Sequence, residues 1–136
     1  TRLEELNMSI SLPSVIAEAQ PLFARTGGLH AACALDVEGA VLAHAEDIGR
    51  HNAVDKVIGR LLLDGSLPAT GLGLFVSGRA SFELVQKAWS AGFGTLVAVS
   101  APTALAVHTA RRAGLVLAGF VRTDRLNIYS PERLAP

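Results

Sequence analysis

The stretch GLFVSGRASFELVQKAWSAGFGTLVAVS, residues 73–100, reads as strand, helix, strand. Its first part, Gly73 to Gly78, is an apolar run that closes in a Ser-Gly turn. From Phe82 to Ala91, Leu84, Val85, Ala88 and Trp89 recur at helical spacing, which predicts a helix with those four residues inward. Gly92 and Gly94 end it, and Thr95 to Ser100 is a second short apolar run. A strand, a crossover helix and another strand predict a parallel pair with the helix laid across one face of the sheet.

Reading downstream, Pro102 suits the first turn of a helix that runs to Arg112, with Gly114 just past its end. VLAGFVR and RLNIYS then read as two strands or one bent strand. Reading upstream, a helix is expected from about Ile48 to Leu63, with Asp47 as N-cap and Val54, Val57, Ile58, Leu61 and Leu62 on one stripe. Gly65 stops it, and Pro68 to Gly71 is loop. Before it, Leu29 to Val37 and Ala40 to Ala45 form a hairpin about Glu38-Gly39. Leu12, Val15, Ile16, Ala19 and Phe23 keep helical spacing, bent by Pro21 and ended by Gly27-Gly28. The expected fold class is α/β: three layers, a mixed, mostly parallel sheet and helices on both faces. Residues 1–11 read as a linker remnant and 12–136 as one domain.

Composition narrows the function. Half of the 136 residues are apolar and only 5% aromatic, so Ala, Val and Leu must fill the core. Twelve basic and twelve acidic side chains cancel. Without a basic run the chain has no general hold on a nucleic-acid polymer or an anionic membrane, though a local cluster can still bind a small anion. No apolar run approaches the roughly 20 residues of a membrane span, and a single cysteine, Cys33, excludes an internal disulfide. A reducing, cytoplasmic setting fits best.

In open α/β sheets ligands collect beyond the carboxyl ends of the strands, where helix N-termini present N–H groups to anions. Three such corners occur here. One is EDIGRHN, 46–52, the start of the polar run EDIGRHNAVDK in an apolar chain. The others are SGRAS, 77–81, and SAPT, 100–103. Arg50 and Arg79 offer fork-shaped donors to phosphate. The candidate set is Glu46, Asp47, Arg50, His51, Asn52, Asp55, Lys56, Ser77, Gly78, Arg79, Ser81, Ser100 and Thr103. Each corner also has a plainer reading: Ser81, Ser100 and Thr103 as helix caps, Gly78 as a turn residue, Arg79 as a surface charge, His51 and Asp55 as a structural pair one turn apart.

His44-Ala45-Glu46 matches the H-x-E of zinc nucleobase deaminases, but the accompanying P-C-x-x-C is missing and no cysteine follows Cys33, so a zinc site is not expected. There is no Walker loop, no G-x-G-x-x-G after a strand and no G-x-S-x-G turn. Cys33, mid-strand among Ala31, Ala32 and Ala34, reads as buried and inert. Arg125 to Ser130 alternates polar Arg125, Asn127 and Tyr129 with Leu126 and Ile128, as an edge strand would.

Together RTGGLHAA (25–32), EDIGRHNAVDKVIG (46–59), SGRASFELVQKA (77–88), SAPTALAV (100–107) and GFVR followed by LNIYS resemble the formate dehydrogenase accessory sulfurtransferases, the FdhD family. The motifs stand in family order across residues 12–134. The resemblance implies a cytidine-deaminase-like fold without zinc. It also implies a cytoplasmic homodimer that takes sulfur from a cysteine desulfurase and passes it to the molybdenum cofactor, a bis-molybdopterin guanine dinucleotide, for formate dehydrogenase. The cofactor would be a bound substrate, with GDP a partial mimic, and the family's contacting segment aligns with Leu126, Asn127, Ile128, Tyr129, Ser130 and Pro131.

One departure bears on chemistry. The family's sulfur-carrying cysteine lies in a C-x-x-C loop upstream of RTGGLHAA, and Thr1 to Ala24 contains none. The expectation is therefore a cofactor-binding domain without the family's N-terminal domain, able to bind and unable to transfer. The alternative is a noncatalytic nucleotide-binding or assembly module of the same fold.

Overall fold

In the computed structural model, residues 30–36, 38, 40–100, 102–122 and 125–130 are described. Strands β1 (His30–Leu35) and β2 (Val41–Asp47) are followed by helix α1 (Arg50–Leu63), β3 (Gly73–Val76), α2 (Phe82–Ser90), β4 (Thr95–Ala98), α3 (Ala104–Ala113), β5 (Val116–Arg122) and β6 (Arg125–Ser130). The helix expected over residues 12–23, the 1–11 linker and Pro131 lie outside the described residues.

The six strands form one sheet in the order β2-β1-β3-β4-β5-β6. It is mixed, as expected, but parallel pairing is confined to β3-β4 and β4-β5. The β1-β2, β1-β3 and β5-β6 pairs are antiparallel, so the sheet is not mostly parallel. The physical reason is connectivity: a short turn can only reverse the chain, whereas parallel neighbours need a crossover helix. Short turns make β1-β2 and β5-β6, and α2 and α3 make the crossovers.

Why the hairpin turns where it does is visible in Asp36. Its carboxylate accepts hydrogen bonds from the backbone N–H groups of Glu38 and Ala40, both at 2.9 Å, an Asx turn that reverses the chain. One apolar cluster joins Ala32, Ala34, Leu74, Val76, Leu96, Ala98 and Leu117 of the sheet to buried residues of all three helices. The described helices thus share one face. The opposite face, with Ala31, Cys33, Phe75, Val97, Val116 and Ala118, is also buried. Small side chains line the helix contacts (Ala53 on α1, Ala88 on α2, Ala106 and Ala110 on α3), so the helices approach closely.

Two inward assignments and one helix boundary need correction. Trp89 is 59% exposed, Leu62 is 65% exposed, and Ile48 precedes α1 at 81% exposed. The buried stripe of α2 is Leu84, Val85 and Ala88, and that of α1 is Ala53, Val54, Val57 and Leu61. Trp89 and Leu62 each follow directly on the last buried residue of their stripe, a rotation of about 100° that carries them off the core face. Trp89 is left on the rim of an open groove between α2 and α3, about 580 Å³ in volume, with His108 and Arg112 across from it.

Gly92 closes α2 with φ +94°, and a Cβ there would lie 2.8 Å from Pro68 Cβ and 2.9 Å from the Ala69 nitrogen. Backbone conformation and space both demand glycine. Gly92→Ala should therefore lower stability by about 1–3 kcal/mol in urea unfolding, the range for a strained backbone position, whereas Gly59→Ala in mid-α1, where a Cβ meets nothing within 4 Å, should be neutral or stabilising.

Candidate functional site

Strand register decides which corners meet. His30 pairs with Asp47, Ala32 with Val76, Val76 with Ala98, Val97 with Ala118, and Gly119 with Asn127. The end of β2, the start of β1 and the turns that follow β3 and β4 therefore lie along one edge of the sheet. All three corners expected from the sequence share that edge. Direct bonds tie neighbours together: Thr103 N–H donates to Ala80 O at 3.1 Å, and Val99 N–H to Val76 O at 3.1 Å.

At the first corner the expected N-cap is displaced. Gly49, not Asp47, is the N-cap of α1, and no side chain caps it. Asp47 instead ties the turn together from two residues earlier. Its Oδ1 accepts from Gly49 N–H at 2.9 Å and from Asn52 Nδ2 at 3.2 Å, and Oδ2 pairs with Lys56 Nζ at 2.8 Å. Lys56 also donates to Glu46 O at 3.0 Å. Asp47, Asn52 and Lys56 are thus spent on holding the corner. The Lys56 hydrogen bond, then the Gly49 N–H, then the Asn52 amide pull the Asp47 carboxyl down to about 2.

Asp55 does not pair with His51. Both its oxygens accept from Lys87 Nζ, at 2.7 and 2.9 Å, which links α1 to α2. With side chains 31% and 55% exposed, that ion pair is worth roughly 0–1 kcal/mol. His51 and Arg50 stand instead near Glu83 at the start of α2. The Glu83 carboxyl is lowered first by its own backbone N–H and the Ser81 hydroxyl, with smaller electrostatic contributions from His51 and Arg50.

The second and third corners divide their residues between structure and surface. Ser77 Oγ accepts from Ala31 N–H at 2.9 Å, pinning β1 to the end of β3. Ser81 caps α2 through Leu84 N–H at 3.4 Å, and Thr103 caps α3 through Ala106 N–H at 3.1 Å. The plain cap reading describes both. Arg79 and Ser100 are exposed. Of the three helix starts, α1 alone has neither a side-chain cap nor an acidic residue in its first turn; the Asp47 carboxylate takes the N–H of its N-cap residue Gly49, and the N–H groups that follow have no side-chain acceptor.

Of the C-terminal segment, Asn127 reaches this edge through its backbone, opposite Gly119, while Ser130 pairs with Leu117 farther down the sheet. Tyr129 packs against the helix-side core and accepts from Arg111 Nε through its carbonyl at 3.1 Å. A methyl at Gly119 would come 3.0 Å from Ser100 O, 3.1 Å from Pro102 Cδ and 3.2 Å from Tyr129 Cε2, so Gly119 lets the third corner and the Tyr129 ring close on each other. His30, Glu83 and Gly119 belong to the edge and were missed in the sequence. Counting outward from a Glu38-Gly39 turn pairs His30 with Asp47, a signal that was there to use.

Cys33 is fully buried, and burial pushes its thiol up to about 12. His44 and Glu46 lie exposed on edge strand β2. Among the described residues no group of three or more His, Cys, Asp or Glu could hold a metal ion. No helix among them is long and apolar enough to cross a membrane.

These features define an α/β domain with a mixed sheet and polar residues along one sheet edge. A diaminohydroxyphosphoribosylaminopyrimidine deaminase/5-amino-6-(5-phosphoribosylamino)uracil reductase from Thermotoga maritima superposes over 79% of this chain and 35% of its own, with a TM-score of 0.58 at 16% identity, a likeness of fold alone. The particular family is shown by sequence: the FdhD/NarQ family model matches residues 5–135, and the chain belongs to that family. The sulfur carrier protein FdhD of Thermoplasma acidophilum is 52% identical over 128 residues, 93% of this chain and 45% of the relative. That of Nocardia farcinica is 58% identical over 119 residues, 88% of this chain and 43% of the relative. A solved structure assigned as a formate dehydrogenase accessory protein from Desulfotalea psychrophila superposes with a TM-score of 0.79 at 31% identity, over 92% of this chain and 57% of that one. The chain spans less than half the length of the two curated relatives.

The Asp47 clamp sets a pH dependence. Its folded-state value near 2 lies below the ordinary carboxyl value of 3.8, so its stabilisation is present in full above about pH 4 and is lost as pH falls through 2. Thermal unfolding of wild type and Asp47→Asn should show wild type the more stable at pH 7, with the gap in Tm closing between pH 4 and pH 2. A gap independent of pH would show that the charge on Asp47 does not hold the corner.

Proposed function

We propose that this chain is the cofactor-binding domain of a sulfur carrier that serves formate dehydrogenase. In this reading the whole protein receives sulfur from a cysteine desulfurase in the cytoplasm and passes it to the molybdenum cofactor. The chain holds that cofactor by the guanine nucleotide ends of its bis-molybdopterin guanine dinucleotide form, and two copies pair as a homodimer. The reading rests on family membership and on the curated relatives' role as sulfur carriers. The observation that carries the binding role is the meeting of three helix-starting corners on one sheet edge, with the uncapped start of α1 beside Arg50 and His51.

Within that edge the roles separate. Asp47, Asn52 and Lys56 hold the first corner in shape. Arg50, His51 and Arg79 supply donors for phosphate, Ser77 and Gly78 fix the turn between them, and Ser100 continues the rim. The segment 126–131 would contact the guanine or pterin, entering the edge at Asn127. Calorimetric titration with GDP should give saturable binding that Arg79→Ala weakens about tenfold, the cost of one charge-assisted contact. Absence of saturation, or an affinity unchanged by Arg79→Ala, would remove the nucleotide site.

Cys33 supports a division between binding and transfer. A sulfur carrier needs an accessible thiol that ionises near neutral pH. Cys33 is the sole cysteine of this chain, fully buried and shifted away from ionisation. Sulfur would therefore ride on a thiol this chain does not hold, and by itself the chain would act as the noncatalytic binding module. Iodoacetamide at pH 8 should leave Cys33 unmodified in the native protein over the time that labels free cysteine completely, and modify it in denaturant. Rapid labelling of the native protein would return Cys33 to the candidates for sulfur carriage.

A further inference from the structure

We propose that His30 is a ligand-binding residue of the sheet edge, forming with Arg50 a two-armed grip on a phosphate or diphosphate group across the side-chain-free position at Gly78. The inference rests on the anion-binding reading of that edge and adds to it a residue and a reason for a glycine.

Gly78 is the starting point. Its backbone is not in the left-handed region, so conformation does not demand glycine there. Space does. A Cβ at Gly78 would stand 3.3 Å from His30 Nδ1, 3.6 Å from His30 Cε1 and 3.7 Å from Arg50 Cδ. The first of these is tighter than ordinary van der Waals contact, so even a methyl group would push the imidazole aside. The imidazole and the Arg50 stem thus converge on a single point over the end of β3. Both residues are half-buried, and each keeps part of its surface in solvent.

The backbone around His30 is fixed. Ser77 N–H donates to Ala31 O at 3.0 Å while Ala31 N–H donates to Ser77 Oγ at 2.9 Å, and His30 pairs with Asp47 in the register of the hairpin. The imidazole is therefore delivered to the edge by two strands at once. Arg50 sits in the first turn of α1, whose start has no side-chain cap, and its Nε is enclosed without a hydrogen-bond partner. Folded proteins seldom enclose a donor unpaired unless its site is incomplete without something bound. An anion at the Gly78 turn would meet a guanidinium, an imidazole and the N–H groups of α1, a donor set with the chemistry of phosphate. Two carboxylates border this set: Glu83, held by its own N–H and the Ser81 hydroxyl, and Asp47, opposite His30 in the hairpin register and paired with Lys56.

Calorimetry with GDP and with inorganic pyrophosphate on wild type, His30→Ala and Gly78→Ala tests the grip, with a thermal scan of each protein as the control for folding. The expected result is that either substitution weakens both ligands about tenfold, the loss of one hydrogen bond to a charged group, while guanosine without phosphate discriminates none of the three proteins. If wild type binds and both variants bind equally well, His30 merely fills space and the proposal falls while the nucleotide site stands. If wild type binds neither ligand, the anion-binding reading falls and takes this one with it. Should His30→Ala fail to fold, Gly78→Ala decides alone, since its methyl meets a side chain that can move.

Discussion

The antiparallel seam between β1 and β3 is the constraint on which this molecule depends. To one side of it lies a hairpin, to the other a parallel block wound by α2 and α3. Each part has its own local logic of turns and crossovers, and neither specifies where the other sits. The seam does so through four paired positions, Ala32 with Val76 to Leu35 with Gly73, and through the two hydrogen bonds between Ala31 and Ser77 at its end. A slip of one residue would turn every side chain of β1 to the other face and move His30 away from Gly78. The same register that buries Ala32 and Ala34 under the helices sets the first corner beside the second.

Small side chains make the seam tolerable. Four successive alanine or cysteine residues in β1 give helix α1 little to climb over, and Ala53 answers them from the helix side. A core of this kind gains less per residue than one built on aromatic rings, and it compensates by close approach and by the number of contacts. Trp89 lies outside the buried stripe of Leu84, Val85 and Ala88 and stands at the rim of the groove between α2 and α3. The requirement for glycine at Gly92 and at Gly119 follows from the same tightness, backbone against backbone in one case and backbone against the Tyr129 ring in the other.

Much of this was legible in residues 73–100 and their neighbours. Apolar runs closed by Gly and helices opened by Ser81 and Thr103 are local signals, and local physics answers them directly. Pairing partners are less legible, because a sheet edge is chosen by contacts across dozens of residues. That is how the share of parallel pairing came to be overestimated. At the site, the presence of polar corners could be read from the sequence but the division of labour could not. Asp47 reads locally as a ligand contact or an N-cap and Asp55 as a ligand contact or a partner of His51; one is held by Lys56 and the other by Lys87. An ion pair across 32 residues leaves no trace in local spacing.

The proposed anion-binding role does not need a net positive charge. Once Asp47 and Lys56 are counted as a pair, the remaining formal charges of the three corners and the α2 start, Arg50 and Arg79 against Glu46 and Glu83, balance. At physiological salt, charges more than about 8 Å apart are largely screened, so a net excess elsewhere would help little in any case. What distinguishes the edge is direction: Ser81 and Thr103 satisfy their own helices, Glu83 turns to its own backbone, and the α1 start is left with its N–H groups uncapped beside Arg50 and His51. Directed donors at short range discriminate a phosphate group from a chloride ion, which a diffuse positive field cannot do. Under the proposed anion-binding role, the clamp at Asp47 would act beyond stability by fixing the turn from which α1 starts.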